Sequence, residues 1–199
     1  MARSLKQETK NPNQSPQENP WIEGIKTIAT AAILAFGIRA FVAEARYIPS
    51  SSMEPTLQIN DRLIIEKVSY HFQEPKRGDV VVFNPTKALQ EKDFRDAFIK
   101  RVIGLPGETI EVKTGKVYVN GKAIKEKYIS EDPNYDYGPV TVPKRQYLVL
   151  GDNRNNSYDS HYWGHVPKEK IIGKAFVRFW PFNRLEILHK HPIYPSTQP

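Results

Sequence analysis

Three consecutive hydroxyls, Ser50-Ser51-Ser52, stand between Pro49 and Pro55 in the stretch Ile48-Pro49-Ser50-Ser51-Ser52-Met53-Glu54-Pro55-Thr56-Leu57. Proline fixes φ and restricts the residue before it, so this backbone resists folding into helix. A nucleophilic serine needs such a fixed position, beside a base and near donors for a developing oxyanion. A candidate base is Lys100 in Phe98-Ile99-Lys100-Arg101-Val102-Ile103. On a strand, Phe98, Lys100 and Val102 share one face, and an amine between two apolar neighbours loses solvation. Burial disfavours the ammonium, and a neutral amine can accept a serine proton. Taken singly, the serines also read as a Ser/Pro turn and Lys100 as a surface lysine.

A third polar stretch is Gly151-Asp152-Asn153-Arg154-Asn155-Asn156-Ser157-Tyr158-Asp159-Ser160-His161-Tyr162-Trp163-Gly164. Its residue types suit a loop that hydrogen-bonds its own backbone, or a wall supporting a site. Ser157, Asp159 and His161 have the residue types of a Ser-His-Asp triad. At two-residue spacing on a strand they would stand roughly 6–7 Å apart, beyond hydrogen-bond reach. Neither G-x-S-x-G nor S-x-x-K occurs, and Asn155-Asn156-Ser157 carries a glycosylation sequon. Five histidines without ligand spacing argue against zinc, and the absence of cysteine excludes disulfides and thiolate sites. No metal and no cofactor are expected.

The elements that must position these groups follow from the pattern. Residues 1–20 are rich in Asn, Gln, Pro, Ser and Lys and are expected to be a disordered tail. The run Thr27–Ile38 is uncharged, and Ile22–Ala43 spans ~33 Å as helix. Lys26 and Arg39 near its ends can snorkel, Trp21 marks a boundary, and residues 21–43 read as a membrane anchor. A cleavable leader ending at Ala43-x-Ala45 is the rival. Arg3, Lys6, Lys10 and Lys26 place the N-terminus on the cytoplasmic side. Beyond the serines, short apolar strands alternate with turns: Arg62–Glu66, Val80–Phe83, Phe98–Ile103, Thr109–Val112, Lys116–Val119, Gln146–Leu150 and Ile171–Trp180. Asn120-Gly121 marks a hairpin, and Ser130–Pro143 reads as a long irregular loop. The net charge of +7 comes from scattered bases without a long run, and no nucleic-acid partner is expected.

Four of these stretches, in order behind an apolar anchor, resemble the bacterial type I signal peptidases. They are Pro49–Thr56, Arg77-Gly78-Asp79-Val80-Val81-Val82-Phe83, Lys100-Arg101-Val102-Ile103-Gly104-Leu105-Pro106-Gly107 and Gly151–Ser157. The resemblance covers Trp21 to Leu188. Tyr158–Gly164 looks most like the cyanobacterial and chloroplast branch. By matched position it implies Ser52 as nucleophile, Lys100 as general base, and an oxyanion hole from the Ser52 amide and the Ser50 hydroxyl. Ser157 would hold the Lys100 amine, Asp159 would support the same wall, and Ile48 and Ile99 would line shallow pockets for small residues. Two positions depart from the pattern: Ser51 replaces a frequent glycine, and His161 stands where many relatives have arginine.

The resemblance further implies a mainly β fold, a coiled antiparallel-sheet catalytic domain interrupted by a small β insertion. The expected division is 44–108 and 146–188 catalytic, 109–145 inserted, and 189–199 a loose tail. The expected partners are the bilayer and preprotein signal peptides with small residues before the cut. The expected location is the plasma or thylakoid membrane, with a single pass and an extracytoplasmic catalytic domain. Phe176, Phe179, Trp180 and Phe182 would touch the bilayer or end a core strand. Two other readings carry the same residues: a LexA-like self-cleaving protein, which should carry a DNA-binding helical domain, and a non-enzymatic anchored β domain that binds peptides.

Overall fold

A computed structural model describes residues 19–188, so the expectations for the extreme N-terminal segment and the 189–199 tail lie outside the described residues. Two compact units divide at Ile38–Arg39. The first contains helix α1, Pro20–Gly37. Pro20 occupies the first turn, where its missing N–H costs nothing, and Asn19 Oδ1 accepts the Trp21 amide at 3.1 Å. A π-helical turn follows over Ile38–Val42. Pro20–Val42 is long and apolar enough to cross a membrane, with mean hydropathy 1.7 and none of its side chains buried.

The second unit is built from strands and short helical turns. They are β1 Ala43–Tyr47, β2 Arg62–Glu66, α2 Ser69–Phe72, β3 Val80–Phe83, α3 Lys87–Gln90, β4 Phe98–Gly104, β5 Thr109–Lys113, β6 Lys116–Val119, β7 Lys122–Ala123, β8 Tyr137–Thr141, β9 Gln146–Leu150, α4 Ser160–Trp163, β10 Val166–Pro167, β11 Ile171–Trp180 and β12 Glu186–Ile187. The larger sheet runs β1-β2-β11-β3-β4-β9-β10, with β12 also on β11. The smaller runs β7-β6-β5-β8, and every pairing in both sheets is antiparallel. The fold is mainly β. Register shifts along β11 and between β4 and β9 coil the larger sheet.

Strand β3 explains why Val80-Val81-Val82-Phe83 is apolar without alternation. Val80 and Val82 pack with Ile48, Met53, Leu57, Leu63 and Ile65, whereas Val81 and Phe83 pack with Val102, Tyr147, Val149 and Trp163. Both faces are covered, so neither is free to be polar. A third cluster joins Ile103, Leu148 and Leu150 of the larger sheet to Ile110, Val112, Val117 and Val119 of the smaller one.

Two segments differ from their sequence reading. Ala43, read as the end of the anchor helix, and Ala43-x-Ala45, the rival leader cleavage motif, lie in strand β1, with Ala43 opposite Glu66 and Ala45 opposite Ile64. Its residues have little strand propensity; pairing with β2 imposes the conformation. Ser130–Pro143, read as a loop, contains β8. Pro139 hides the strand, yet β8 pairs only with β5, and an edge position tolerates proline. Gly138 beside it has φ +83°, and a Cβ there would lie 2.5 Å from the Ile110 carbonyl oxygen, so only glycine fits.

Candidate active site

The serine loop is fixed at its base before it presents any chemistry. The Ile48 amide donates to the Asp61 carbonyl at 2.9 Å, and the Asn60 amide donates to the Ile48 carbonyl at 2.8 Å. Asp61 is buried, accepts the Gln58 amide at 2.8 Å and pairs with Arg184 at 3.0 Å. Met53 and Leu57, both fully buried, pin the far side. The loop 151–156 closes over the top. There the Asn153 amide donates to the Ser52 carbonyl at 3.1 Å, the Asn153 side chain to the Ser51 carbonyl at 3.2 Å, and the Asn156 side chain to Ser51 Oγ at 2.9 Å.

Against this loop β4 presents Lys100. The Lys100 amine donates to Ser52 Oγ at 2.8 Å and to the Ile99 carbonyl at 2.9 Å. Lys100 is only 4% exposed, and its flanking residues Phe98 and Val102 share one apolar cluster. Its nitrogen lies 5.7 Å from the centre of the Phe98 ring. Desolvation lowers its pKa from the ordinary 10.5 to about 8, against the opposing charges of Asp159 and Asp152. An amine held this way is available as a proton acceptor near neutral pH. Ser50 Oγ lies 3.3 Å from Ser52 Oγ, and among the described residues the Ser52 amide makes no hydrogen bond. A hydroxyl and an amide donor are therefore both at hand beside the serine oxygen.

Ser157 and Asp159 occupy the wall behind. Asp159 is fully buried; its Oδ2 accepts the Gly151 amide at 2.9 Å and its Oδ1 lies 2.7 Å from His161 Nδ1. Ser157 Oγ is buried without a hydrogen-bond partner, so the contact to the Lys100 amine implied by the resemblance is not formed here. The same geometry rules out a Ser157-Asp159-His161 triad, because the serine is bonded to neither partner. The sequon is also accounted for structurally: Asn155 Oδ1 accepts the Asn134 amide at 2.8 Å and its amide nitrogen reaches the Asp132 carbonyl at 3.1 Å.

A groove of about 300 Å³ reaches Ile99, the chain neighbour of Lys100. Ala45–Pro49 form one bank, and Asp96–Ile99 with Val82 form the other. Ile48 and Ile99 both line it, and Ile99 is the residue whose carbonyl receives the Lys100 amine. Among the described residues strand β1 pairs only with β2, and an extended peptide could add to its other edge.

Sequence reasoning missed the ion pairs that brace the site. Arg101, next to Lys100 and buried, grips Asp152 through two bonds of 2.7 and 2.5 Å and lies 4.1 Å from the centre of the Tyr128 ring. Arg154 is 1% exposed, holds Glu126 through two bonds of 2.6 Å and donates to the Gly151 carbonyl at 3.0 Å. An arginine inside an apolar strand was the available signal for Arg101. Glu126 and Tyr128 carried none, because their partners are remote in sequence. Gly151 is needed for space: a Cβ there would lie 2.2 Å from Ser157 Oγ and 2.4 Å from the Ser52 carbonyl oxygen.

Comparison with known proteins identifies the family of the chain. The family model for signal peptidase, peptidase S26, matches residues 21–180. A probable signal peptidase I-2 from Synechocystis sp. is 66% identical over 188 residues, covering 94% of this chain and 86% of that protein. Signal peptidase I of Leptolyngbya laminosa is 59% identical, covering 92% and 91%. Thylakoidal processing peptidase 1 of Arabidopsis thaliana is 42% identical, covering 86% of this chain and 52% of that protein. These relatives include both cyanobacterial and chloroplast proteins, the branch that Tyr158–Gly164 resembles. With the family model spanning most of the chain and near full-length relatives above half identity, the chain belongs to the signal peptidase family, peptidase S26, on its bacterial type I, cyanobacterial side.

Proposed function

We propose that this chain is a membrane-anchored serine endopeptidase that removes signal peptides from exported preproteins by a Ser52/Lys100 acyl-enzyme mechanism. The observation that carries the reading is the 2.8 Å bond between Ser52 Oγ and a buried amine whose pKa is lowered to about 8. Neutral Lys100 takes the hydroxyl proton as Ser52 Oγ attacks the scissile carbonyl, and the C–O bond forms as the carbonyl electrons move onto oxygen. The Ser52 amide and the Ser50 hydroxyl are the donors for that oxyanion. Collapse breaks the peptide C–N bond, and the Lys100 ammonium gives its proton to the leaving amine. Water, deprotonated by Lys100, then hydrolyses the ester and restores Ser52. Ser157 and Asp159 are positioning residues in the wall that carries Gly151.

The substrate enters as an extended strand along the groove between Ala45–Pro49 and Asp96–Ile99. A groove of about 300 Å³ lined by Ile48 and Ile99 favours small side chains before the cut. Segments 44–108 and 146–188 form one discontinuous catalytic domain around 109–145, in keeping with the two sheets. Pro20–Val42 is the single anchor, with a cytoplasmic N-terminus and the β unit on the far side of a plasma or thylakoid membrane. Trp180 and Phe182, packed edge to face at 4.8 Å, with Leu185 exposed nearby in sequence, supply an apolar surface that rests on the lipid. An apolar helix lies ahead of the catalytic residues, whereas a LexA-like self-cleaving protein would carry a DNA-binding domain there.

The test is cleavage of a preprotein with an Ala-x-Ala site by the detergent-solubilised chain. Wild type should release mature protein, and Ser52→Ala and Lys100→Met should not. Turnover by Ser52→Ala would move the nucleophile elsewhere. Peptide binding without turnover by folded wild type would leave the binding-domain reading in its place.

A further inference from the structure

The proposed mechanism leaves one feature of the wall unused. The His161 imidazole, whose side chain is 10% exposed, lies against three tyrosine rings. Tyr135 stacks at 4.2 Å with 12° between planes, Tyr162 lies at 3.8 Å and 42°, and Tyr137 approaches by its edge at 6.4 Å. Tyr137 opens β8 of the smaller sheet and Tyr135 packs against that sheet's apolar cluster, whereas His161 and Tyr162 belong to α4. Since an ionised carboxylate only accepts, Nδ1 must carry the hydrogen in its 2.7 Å bond to Asp159.

From Asp159 a chain of contacts leads to the dyad. Asp159 Oδ2 accepts the Gly151 amide, Gly151 abuts the Ser52 carbonyl and Ser157, and Ser52 Oγ receives the Lys100 amine. We infer that His161 is a positioning residue: clamped by Tyr135 and Tyr162, it aims Asp159 at Gly151 and sets the negative charge that Lys100 feels. This inference rests on the Ser52/Lys100 reading given above.

The charged surroundings make the direction definite. His161 faces one charged group, Asp159, and otherwise the phenols of Tyr135, Tyr137 and Tyr162; the paired Arg154 and Glu126 act on Tyr135. Lys100 faces Ser52 and Phe98 and feels Asp159 and the Arg101-bound Asp152. With His161 neutral, the full Asp159 charge holds a proton on Lys100. A cation at position 161 offsets that charge and releases the Lys100 proton more readily.

Two measurements test this. In a Ser52→Ala background, which needs no turnover, the pH dependence of Lys100 acylation by an amine-reactive reagent is read by mass spectrometry. Adding His161→Arg should move the Lys100 midpoint down by roughly 0.5 pH unit. An unmoved midpoint overturns the inference, whatever the protein cleaves. In the Ser52 enzyme, His161→Phe keeps a ring but loses the donor. Its kcat should fall about tenfold with KM within twofold, because the groove is untouched. His161→Asn, with an N–H near the Nδ1 position, should recover most of that loss. Equal kcat for the wild type and the Phe variant would also overturn it. If the wild type cleaves no preprotein, the peptidase reading falls, and the Lys100 midpoint still decides the coupling.

Discussion

Ser52 and Lys100, 48 residues apart in sequence, meet at 2.8 Å in a site where the lysine is 4% exposed. Because burial brings the amine to a pKa of about 8, the proposed Ser52/Lys100 mechanism needs the neutral amine that dominates above that pH. The log of kcat/KM should rise with unit slope from pH 6 to about 8 and then level. A rate that stays flat down to the acid stability limit would remove Lys100 from the role of base.

The same burial has a cost in stability, and its sign can be stated. The folded-state pKa of Lys100 lies below its unfolded value, so below pH 8 the folded chain holds an ammonium that is better solvated when unfolded. Lys100→Met should therefore raise the melting temperature at pH 6, by an amount equivalent to roughly 3 kcal/mol at most. That gain should shrink between about pH 8 and 10.5, where the wild-type amine is neutral when folded. A Met variant less stable than wild type at pH 6 would contradict a desolvated lysine.

Gly151 has no room for a side chain beside Ser52 and Ser157. Gly151→Ala should push on the Ser52 carbonyl and Ser157, destabilising by about 1–3 kcal/mol. Activity should fall at least tenfold with KM little changed, because misplacing Ser52 harms the chemical step and leaves the groove intact. Steady-state kinetics beside a melting curve separates the two effects.

The Arg101–Asp152 pair should be worth more intact than halved. Asp152→Asn leaves a buried guanidinium underpaired and should destabilise by about 3–5 kcal/mol. Arg101→Met with Asp152→Leu should regain part of that loss, as read by denaturant unfolding. Removal of the Asp152 charge should also lower the Lys100 pKa, shifting the acid limb to lower pH.

The sequence made Lys100 legible because a charged residue interrupted a strand pattern between Phe98 and Val102, and the structure buries Lys100 and Val102 with Phe98 half-buried beside them. Ser52 became legible through two prolines that advertise a rigid loop. Helix α1 and the Asn120-Gly121 hairpin were likewise local signals, and both elements are present. What stayed hidden was non-local. Strand β1 exists because β2 pairs with it, β8 because its edge position tolerates Pro139, and Arg154 is neutralised by Glu126 from 28 residues away. The unpartnered Ser157 hydroxyl could not be read from residue types, because types do not tell which donors come within reach.

Ile99 and Lys100 are neighbours on β4, one lining the groove and the other carrying the amine, and the carbonyl of the first holds the nitrogen of the second. Under the proposed mechanism, selectivity and reactivity are thus geared together on one piece of backbone. Moving β4 to admit a bulkier residue would also drag the nitrogen from Ser52. Any new preference that keeps the rate must come from exchanging side chains, at Ile48 on the opposite bank or at Ile99 itself, with the strand left where it is. That confines evolvable or engineered specificity in this enzyme to very few positions.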